Sequence, residues 1–559
     1  MRTRYPSIPV VTPRQSVRGK TDRVVVVGAG LSGLVVAVLL AASGRSVTVV
    51  ERQGHVGGRA ATETISTFLG NVRVDTGATV VTMPWLIDEV LASVGMSVND
   101  IAPYFVYRRL DPAYHAIFSS GRHFNVFADN GESGGKSQQS DGEVRRFVSD
   151  KYSCPEQPLG RVADGQLTDA LVNDVRRYRA WAQSMFEASF SHLMSADFDS
   201  PLDLIRTQES ARSLVRVLRL RGLGSLGSAV QRYIRDDELR RVFSFQALYA
   251  GVPPRKARAV YSTISHMDTG LGVFYPTLGP HGSGVGALCD ILAAALQRAG
   301  GTIMLGTRAS ALHHTANRID TVVTDQGVLH ADVVVATCDI PELNLLSGRP
   351  NRRRLRWSPS AFVMHGAVPR EVARQWPGGH HTMSFGQAWD QTFTEITAPR
   401  GRGRLMSDPS LLITRPACSA PDRVSVGSSQ VEIEPVSILA PCPNLESAPI
   451  DWELLSPHYQ EDLLTVADNR GFSGIKDYFA IGRVDTPADW ADLGMGAGTP
   501  FSPAHLFRQT GPFRPRNFPL RQFSNLIYAG SSTTPGVGVP TVILSGALAA
   551  ARVTRGDRR

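Results

Sequence analysis

The chain has 559 residues, of which 42% are hydrophobic and 19% charged, a composition typical of a globular protein with two or three domains. Its net charge is +9, but no basic stripe alternates with aromatic residues, so nucleic-acid binding is not expected. The five cysteines are scattered and form no C-x-x-C pair, which argues against a disulfide framework and a structural zinc site. We therefore expect no metal site.

Residues 1–22 are basic, and we expect them to form a flexible tail. The segment that follows, Val24–Ala42, has no charged residue and approaches the length of a membrane-spanning helix or of a signal peptide. Three glycines favour another interpretation, because Gly28, Gly30 and Gly33 follow the β-branched run Val24–Val27 at the spacing G-x-G-x-x-G. This order predicts a strand, a tight turn and a helix that together bind a dinucleotide.

Each residue of the turn has a physical task in such a unit. Gly28 permits the tight turn, Gly30 lets the backbone approach a diphosphate, and Gly33 lets the helix pack against the sheet. The first residues of the helix, Leu31 and Ser32, offer free N–H groups and the positive end of the helix dipole to the phosphates.

The residues after the helix support a nucleotide site. Val47–Val50 predicts a second strand, and it ends at Glu51, where an acid would hydrogen-bond a ribose hydroxyl. Arg52, Gly58 and Arg59 follow in the pattern E-R-x-x-x-x-G-G-R, which resembles the FAD-binding unit of glutathione-reductase-like flavoproteins. A surface turn is the alternative for the paired glycines.

Further along the chain, the character of the sequence changes several times. The polar 129–165 region predicts a flexible insertion, and helical periodicity runs from Asp169 to about Tyr249. Short predicted strands between residues 302 and 339, which include Ala309, return the chain to the nucleotide domain. The closing stretch 525–553 predicts a strand, a glycine-rich turn and a helix, whose N-terminus would face the cofactor. Its candidate cofactor-binding residues are Gly530, Gly536, Val539 and Pro540.

These segments predict an α/β protein in which a Rossmann FAD-binding domain is interrupted by a mixed α+β substrate domain. The FAD-binding domain would comprise residues 23–100, 276–350 and 491–559. The substrate domain, which would also face the membrane, would comprise residues 101–275 and 351–490.

Five longer motifs together resemble the bacterial-type phytoene desaturases, a family of FAD flavoproteins. The resemblance covers roughly residues 22–553 outside 129–165. The motifs are VFSFQALYAGVPP (Val242–Pro254), MDTGLGVFYPTLG (Met267–Gly279), RLMSDPSLLITRP (Arg404–Pro416), GTPFSPAHLFRQTGPFRPRN (Gly498–Asn517) and GSSTTPGVGVPTVILSG (Gly530–Gly546).

The resemblance implies FAD as the sole cofactor and a C40 or C30 polyene hydrocarbon as the substrate. It implies desaturation of phytoene to lycopene or to a partly desaturated intermediate, with oxygen or a quinone as electron acceptor. It also implies a cytoplasmic protein attached peripherally to the membrane. We expect an apolar tunnel for such a substrate, with Phe243, Phe245, Tyr249, Phe274 and Tyr275 as candidate walls.

The resemblance also implies two catalytic candidates. The family's Asp-x-x-Arg matches Asp203 and Arg206, where the carboxylate would take a proton or stabilise a cation and the arginine would orient it. An i,i+3 surface ion pair is the alternative. The family's closing motif often carries histidine before Pro-Gly, but this chain has Thr534 there, so that role does not transfer.

Several functions remain open at the level of sequence. Within the family these are a C30 diapophytoene desaturase, a carotenoid isomerase and a ketolase. More distant alternatives are a flavin amine oxidase and a non-catalytic carrier of prenyl lipids on the same fold, as Rab GDP-dissociation inhibitors are. Bound flavin would exclude an empty carrier.

Overall fold

The computed structural model describes residues 8, 15–128, 168–278, 282–350, 353–519 and 522–555. The predicted insertion at 129–165 and much of the predicted tail at 1–22 lie outside the described residues.

The described elements alternate between strands and helices along the chain. The strands are β1 (Arg23–Val27), β2 (Ser46–Val50), β3 (Thr62–Thr67), β4 (Gly70–Asp75), β5 (Val106–Arg109), β6 (Tyr114–Phe118), β7 (His123–Val126), β8 (Phe274–Thr277), β9 (Thr302–Met304), β10 (Ala309–Thr315), β11 (Arg318–Thr324), β12 (Gly327–His330), β13 (Val333–Ala336), β14 (Ser360–Pro369), β15 (His381–Phe385), β16 (Leu411–Thr414), β17 (Ser425–Val426), β18 (Glu432–Cys442), β19 (Ala480–Asp485) and β20 (Leu526–Tyr528). The α-helices among the same residues are α1 (Leu31–Ala42), α2 (Trp85–Ala92), α3 (Val98–Ile101), α4 (Asp169–Ser189), α5 (Gln208–Arg219), α6 (Leu226–Tyr233), α7 (Asp237–Val242), α8 (Ser262–His266), α9 (Gly286–Arg298), α10 (Ile340–Ser347), α11 (Arg370–Ala373), α12 (Trp389–Ile396), α13 (Trp452–Asn469), α14 (Ile475–Tyr478), α15 (Pro487–Asp492) and α16 (Val539–Thr554).

A parallel sheet forms the centre of the nucleotide-binding region. In the described chain its five strands have the order β20-β13-β1-β2-β9, so β1 is central. Helices α1, α9 and α16 pack beside it, with α1 in contact with both of the others. Because such a sheet is covered on both faces, its strands are continuous valine runs, and Val24–Val27 are all buried. The predicted α/β fold is confirmed.

The central sheet collects strands from three distant parts of the chain. β1 and β2 come from the beginning, β9 and β13 from the middle, and β20 from the end. The antiparallel strands β10, β11 and β12 form a separate small sheet between β9 and β13.

A second, larger sheet is formed by strands that lie in the chain between the segments of the central sheet. Its eight described strands run in the order β19-β14-β18-β16-β15-β6-β7, and β17 pairs with β18 at one side. Only one pairing within this described sheet is parallel, that of β15 with β6. Helices α4 to α8 pack into the same hydrophobic core as the central parallel sheet, which joins the two regions.

The apolar segment Val24–Ala42 is divided between strand β1 and helix α1, so it does not form one spanning helix. Helix α1 has 12 residues, well short of the roughly 20 that a bilayer requires. Among the residues that the structure describes, no helix combines the length and apolarity needed to cross a membrane.

The C-terminal part of the predicted tail is packed against the protein. The expectation that the whole segment 1–22 is a flexible tail is therefore wrong for this part. Val17 is 1% exposed, and its N–H donates to the carbonyl of Arg552 at 3.0 Å. The buried Arg552 guanidinium donates in turn to the carbonyl of Gln15 at 2.7 Å. It also forms ion pairs with Asp197 and Asp199, each at 2.6 Å. One side chain therefore joins both ends of the chain to the segment before α5.

Replacing Arg552 by methionine should lower the free energy of unfolding by about 3–5 kcal/mol, because the Asp197 carboxylate would remain buried without its partner. The midpoint of urea unfolding measures this change. Arg18→Met, which alters an exposed side chain, is the matched control and should leave the midpoint unchanged. Equal midpoints for the two variants would show that the Arg552 ion pairs do not stabilise the fold.

Candidate cofactor and substrate site

A single cavity of about 1190 Å³ runs from the glycine-rich turn after β1 into the region between the two sheets. It exceeds the volume of a typical pocket for one drug-sized ligand, about 300–1,000 Å³. One part is lined by backbone turns and polar side chains, and the other by aliphatic and aromatic side chains. The cavity therefore has room for two ligands of different polarity placed side by side.

The polar part begins at the N-terminus of α1, where the predicted glycines lie. Gly28 has φ +107°, and a Cβ on it would lie 2.5 Å from Thr337 Oγ1. A Cβ on Gly33 would lie 2.0 Å from the Gly28 carbonyl oxygen, so only glycine allows α1 to approach β1 this closely. Gly30 differs, because the nearest atom to its Cβ would be 3.9 Å away, and the open space there belongs to the cavity.

The N-termini of α1 and α16 both adjoin this cavity, and in the described chain no side chain caps either of them. Leu31 and Ser32 line the cavity at the first, and Val539 and Pro540 at the second. The buried Ser32 Oγ has no hydrogen-bond partner among the described residues. Uncapped N–H groups, two positive dipole ends and an unpartnered hydroxyl are the donors that an anionic diphosphate requires.

Glu51 lies at the end of β2 and lines the cavity, as predicted for the ribose position. Its side chain is 8% exposed and accepts hydrogen bonds from the N–H groups of Ala29, at 2.7 Å, and Gln53, at 3.0 Å. These bonds fix the carboxylate beside the glycine turn. Ala309, the first residue of β10, lines the same end.

Arg59 connects the polar part of the cavity to the C-terminal segment. It donates to the carbonyl of Pro500 at 2.9 Å and to the hydroxyl of Ser531 at 2.5 Å, and it lies 3.8 Å from the buried carboxylate of Asp339. Arg52 and Gly58 also line the cavity, and Arg52 donates to the carbonyl of Leu493 at 2.7 Å. Arg59 therefore stiffens the loop in addition to facing the ligand.

The closing motif contributes Gly530 to the cavity lining, whereas Gly536 lies behind it. Gly536 has φ +140°, and a Cβ there would lie 2.3 Å from the His505 ring. His505 itself lines the cavity, and burial lowers the pKa of its imidazole well below the usual value. Sequence reasoning missed this histidine because it lies 29 residues before Thr534 in the chain and only the fold brings it to the closing motif.

These residues fit an extended FAD molecule. The acid, the uncapped helix N-termini, the unpartnered Ser32 hydroxyl and Arg59 all border one cavity. Glu51 would hold the ribose, α1 the diphosphate, and the α16 end the flavin ring.

The rest of the cavity is apolar. Phe245 and Tyr249 line it as predicted, together with Leu248, Met383 and Leu412. The other three predicted walls do not line it and belong to the core, because each is at most 1% exposed: Phe243, Phe274 and Tyr275.

The predicted catalytic pair lies away from the cavity lining, although Leu204 between the two residues reaches it. Asp203 Oδ2 accepts hydrogen bonds from the N–H groups of Asp199, at 2.8 Å, and Ser200, at 2.9 Å. It thereby caps the 3-10 turn Pro201–Ile205, and Arg206 forms an i,i+3 ion pair with it at 3.8 Å. Capping and the ion pair thus give Asp203 and Arg206 a structural role. Asp203 Oδ1 has no hydrogen-bond partner among the described residues, and the catalytic role of the pair stays a prediction.

An acid that sequence reasoning did not select, Asp268, does line the apolar part. It lies in the turn Met267–Leu271, inside one of the motifs that carried the resemblance. The available signal was a lone carboxylate within a predominantly apolar stretch.

The fold and the cofactor-binding cavity define a class, the FAD-dependent oxidoreductases. The sequence model of the flavin containing amine oxidoreductase family matches residues 31–409, more than half of the chain. Cyclohexylamine oxidase from Brevibacterium oxydans is similar in structure, with a TM-score of 0.54 and 14% identity over 97% of this chain and 100% of that one. A wild-type putrescine oxidase gives 0.53 at 15% identity, over 95% and 98% of the two chains.

Similarity in sequence is more specific. The chain is 41% identical to a phytoene dehydrogenase of Streptomyces griseus over 96% of each protein. It is 27% identical to a lycopene-forming phytoene desaturase of Pseudescherichia vulneris over 94% of this chain and 97% of that protein. A zeta-carotene-forming phytoene desaturase of Myxococcus xanthus is 27% identical over 95% and 93%. The chain belongs to the phytoene dehydrogenase family of flavoproteins, which confirms the predicted family and its FAD cofactor.

Replacing Gly30 by valine should reduce the flavin bound per purified protein by at least about tenfold, because the side chain would fill the open space at the α1 N-terminus. Absorption of the released flavin relative to protein measures the effect. Gly54→Val is the control, because a Cβ on Gly54 meets nothing within 4 Å and this exposed residue does not line the cavity. Full flavin content in the Gly30 variant would contradict the cofactor assignment.

Proposed function

We propose that this protein desaturates phytoene, toward lycopene or a partly desaturated intermediate, in carotenoid biosynthesis. The observation that carries the proposal is the continuity of the polar, diphosphate-compatible part of the cavity with a long apolar part. A hydrocarbon offers no hydrogen-bonding group, so an apolar wall of suitable shape is the only means of holding it. The family relatives act on substrates of this kind according to their names.

FAD supplies a two-electron acceptor when bound. The protein's own residues position the substrate and exclude water. Phe245, Leu248, Met383 and Leu412 present apolar surface to the chain of the polyene. Holding the substrate beside the cofactor replaces a bimolecular encounter by a positioned one.

The proposal is tested by producing the protein in a host that accumulates phytoene and by separating the pigments. Coloured polyenes are expected, and the number of conjugated double bonds gives the number of desaturation steps. Untouched phytoene from a flavin-loaded protein would contradict the proposal and would favour a C30 precursor, an isomerase or a ketolase. A protein that binds no flavin would favour a lipid carrier.

We also propose that the cavity mouth lies on a membrane surface. Six exposed apolar side chains line the cavity or lie in a turn next to lining elements, and we call them the mouth patch: Leu202, Ile205, Leu218, Leu223, Phe507 and Phe513. The last four line the cavity themselves. The turn that carries the first two contacts both α5 and the segment Gly511–Phe513. Exposed arginines on α5 lie beside the patch and would face anionic headgroups. The hydrocarbon substrate would then enter directly from the lipid.

Leu202→Glu combined with Ile205→Glu should reduce binding to vesicles that contain anionic lipid by at least about tenfold, because two exposed apolar side chains that would enter the lipid become charged. Flotation of the vesicles measures the bound fraction. Leu454→Glu is the control, since this side chain is equally exposed but lies on α13, which lines no part of the cavity. Equal binding by both variants would place the membrane contact elsewhere.

Oxygen or a quinone is the proposed acceptor of the electrons. A mouth on the membrane gives an apolar quinone the same entrance as the substrate. If an added quinone restores product formation in the absence of oxygen, the acceptor is a quinone. If product forms only when oxygen is present, a quinone is excluded as the acceptor.

A further inference from the structure

Asp268 is an acid placed in the apolar part of the cavity. It follows α8, in the turn Met267–Leu271, and its neighbours in the wall include Tyr114 on β6 and Tyr249. In the described part of the chain, no lysine or arginine lies within ion-pair distance of its carboxylate.

Two other acids with buried side chains, Asp75 and Asp203, hold the backbone in place. Asp75 accepts from the Val285 N–H at 3.0 Å and from the Tyr275 hydroxyl at 2.7 Å, and Asp203 accepts from two backbone N–H groups. Asp268 receives no backbone hydrogen bond from any described residue. The carboxylate of Asp268 therefore has no evident task in holding the fold together. Its removal from water nevertheless costs free energy of desolvation.

The surroundings of Asp268 keep its proton exchangeable. Burial raises the pKa of Asp268 to about 7, and the nearby Tyr114 hydroxyl opposes the shift by stabilising the carboxylate. The group thus populates both its acid and its base form near neutral pH, which is the condition under which a general base is most effective.

The titratable groups around Asp268 differ in charge. Burial raises the pKa values of Tyr114 and Tyr249 above that of a free tyrosine and lowers that of His381, on β15, to about 4, so all three are neutral at pH 7. Helix α4 contributes the neutral Tyr178 and the charged Arg179, which donates to the Phe127 carbonyl at 2.6 Å. His266, two residues before Asp268, contacts Phe186 in a tilted arrangement with the ring centroids 5.0 Å apart.

We propose that Asp268 is a catalytic residue that accepts the proton released from the substrate when the new double bond forms. The inference rests on the proposed desaturation and identifies its base. The desaturation breaks two C–H bonds on adjacent carbons. One hydrogen leaves the substrate with its electron pair, for which FAD is the two-electron oxidant.

The second C–H bond then breaks. Its electron pair becomes the π bond between the two carbons, and its proton passes to a carboxylate oxygen of Asp268. Loss of the first hydrogen with its electron pair leaves an allylic cation, and the positive charge makes the adjacent C–H bond acidic enough for a carboxylate to act as the base. After product release, the acid returns its proton to water, which its pKa near 7 allows.

The first test compares Asp268→Asn, Asp268→Glu and Asp237→Asn, in which the control replaces a largely exposed acid on α7. Asp268→Asn should keep its flavin and its KM for phytoene but lose about 100-fold or more in kcat, the range of general-base catalysis. Asp268→Glu should recover part of the rate. Wild-type kcat should rise with pH through about 7, because only the carboxylate accepts a proton.

The second test does not depend on turnover. Infrared difference spectra between about pH 5 and pH 9 should show a protonated carboxyl component that titrates near pH 7 in the wild type and is lost in Asp268→Asn, whereas the component of Glu89, whose pKa burial raises to about 8, should remain in both proteins. Spectra of the same amplitude in the wild type and in Asp268→Asn would overturn the inference. So would a variant that keeps its kcat, or one that changes only in KM.

These outcomes separate the two proposals. If the wild type leaves phytoene untouched, the proposed function fails whatever the variants do. If the wild type desaturates phytoene and Asp268→Asn does so at a similar rate, only the assignment of the base fails.

Discussion

The close packing of helix α1 on strand β1 is the constraint on which the rest of the site depends. A Cβ on Gly33 would lie only 2.0 Å from the Gly28 carbonyl oxygen. Any residue other than glycine at this position would therefore push the helix off the sheet. The uncapped α1 N-terminus would then leave the edge of the sheet where Glu51 ends β2. The free N–H groups, the acid and the open space at Gly30 share one cavity only because this contact is so short.

The second helix N-terminus reaches the same cavity from the other end of the chain. Helix α16 packs along α1, and β20 joins the sheet beside β13. The glycine-rich turn that connects β20 to α16 therefore faces the site. Arg552, on the last turn of α16, is tied to Asp197 and to the carbonyl of Gln15. The helix that would hold the flavin end is thus fixed by contacts on the side remote from the ligand.

The parts that could be predicted from sequence are those in which local pattern and function coincide. The glycine spacing, the valine runs and the terminal acid each identify an element, so Gly28, Gly30, Gly33 and Glu51 line the cavity where expected, and their contacts with the cofactor stay a prediction. The prediction of the tunnel walls was wrong at three of five positions. Aromatic residues of the same motif lie partly in the core and partly at the cavity, and only the packing of the folded chain decides which. The Asp203–Arg206 pair has the spacing of a helix turn, and one carboxylate oxygen of Asp203 caps that turn, so the spacing alone does not distinguish a structural from a catalytic role.

The same comparison explains why Asp268 was overlooked. A lone acid in an apolar stretch carries no spacing signal, and its significance arises from strands β6 and β15, which lie far from it in the chain. Desolvation acts in opposite directions on the groups collected there: it keeps His381 and the tyrosines neutral and brings the carboxyl pKa to about 7. In the proposed reaction, the apolar cavity that suits a hydrocarbon would therefore also turn an ordinary carboxylate into a base suited to neutral pH. The binding of an apolar substrate and the proposed proton transfer would then have one physical origin, the exclusion of water.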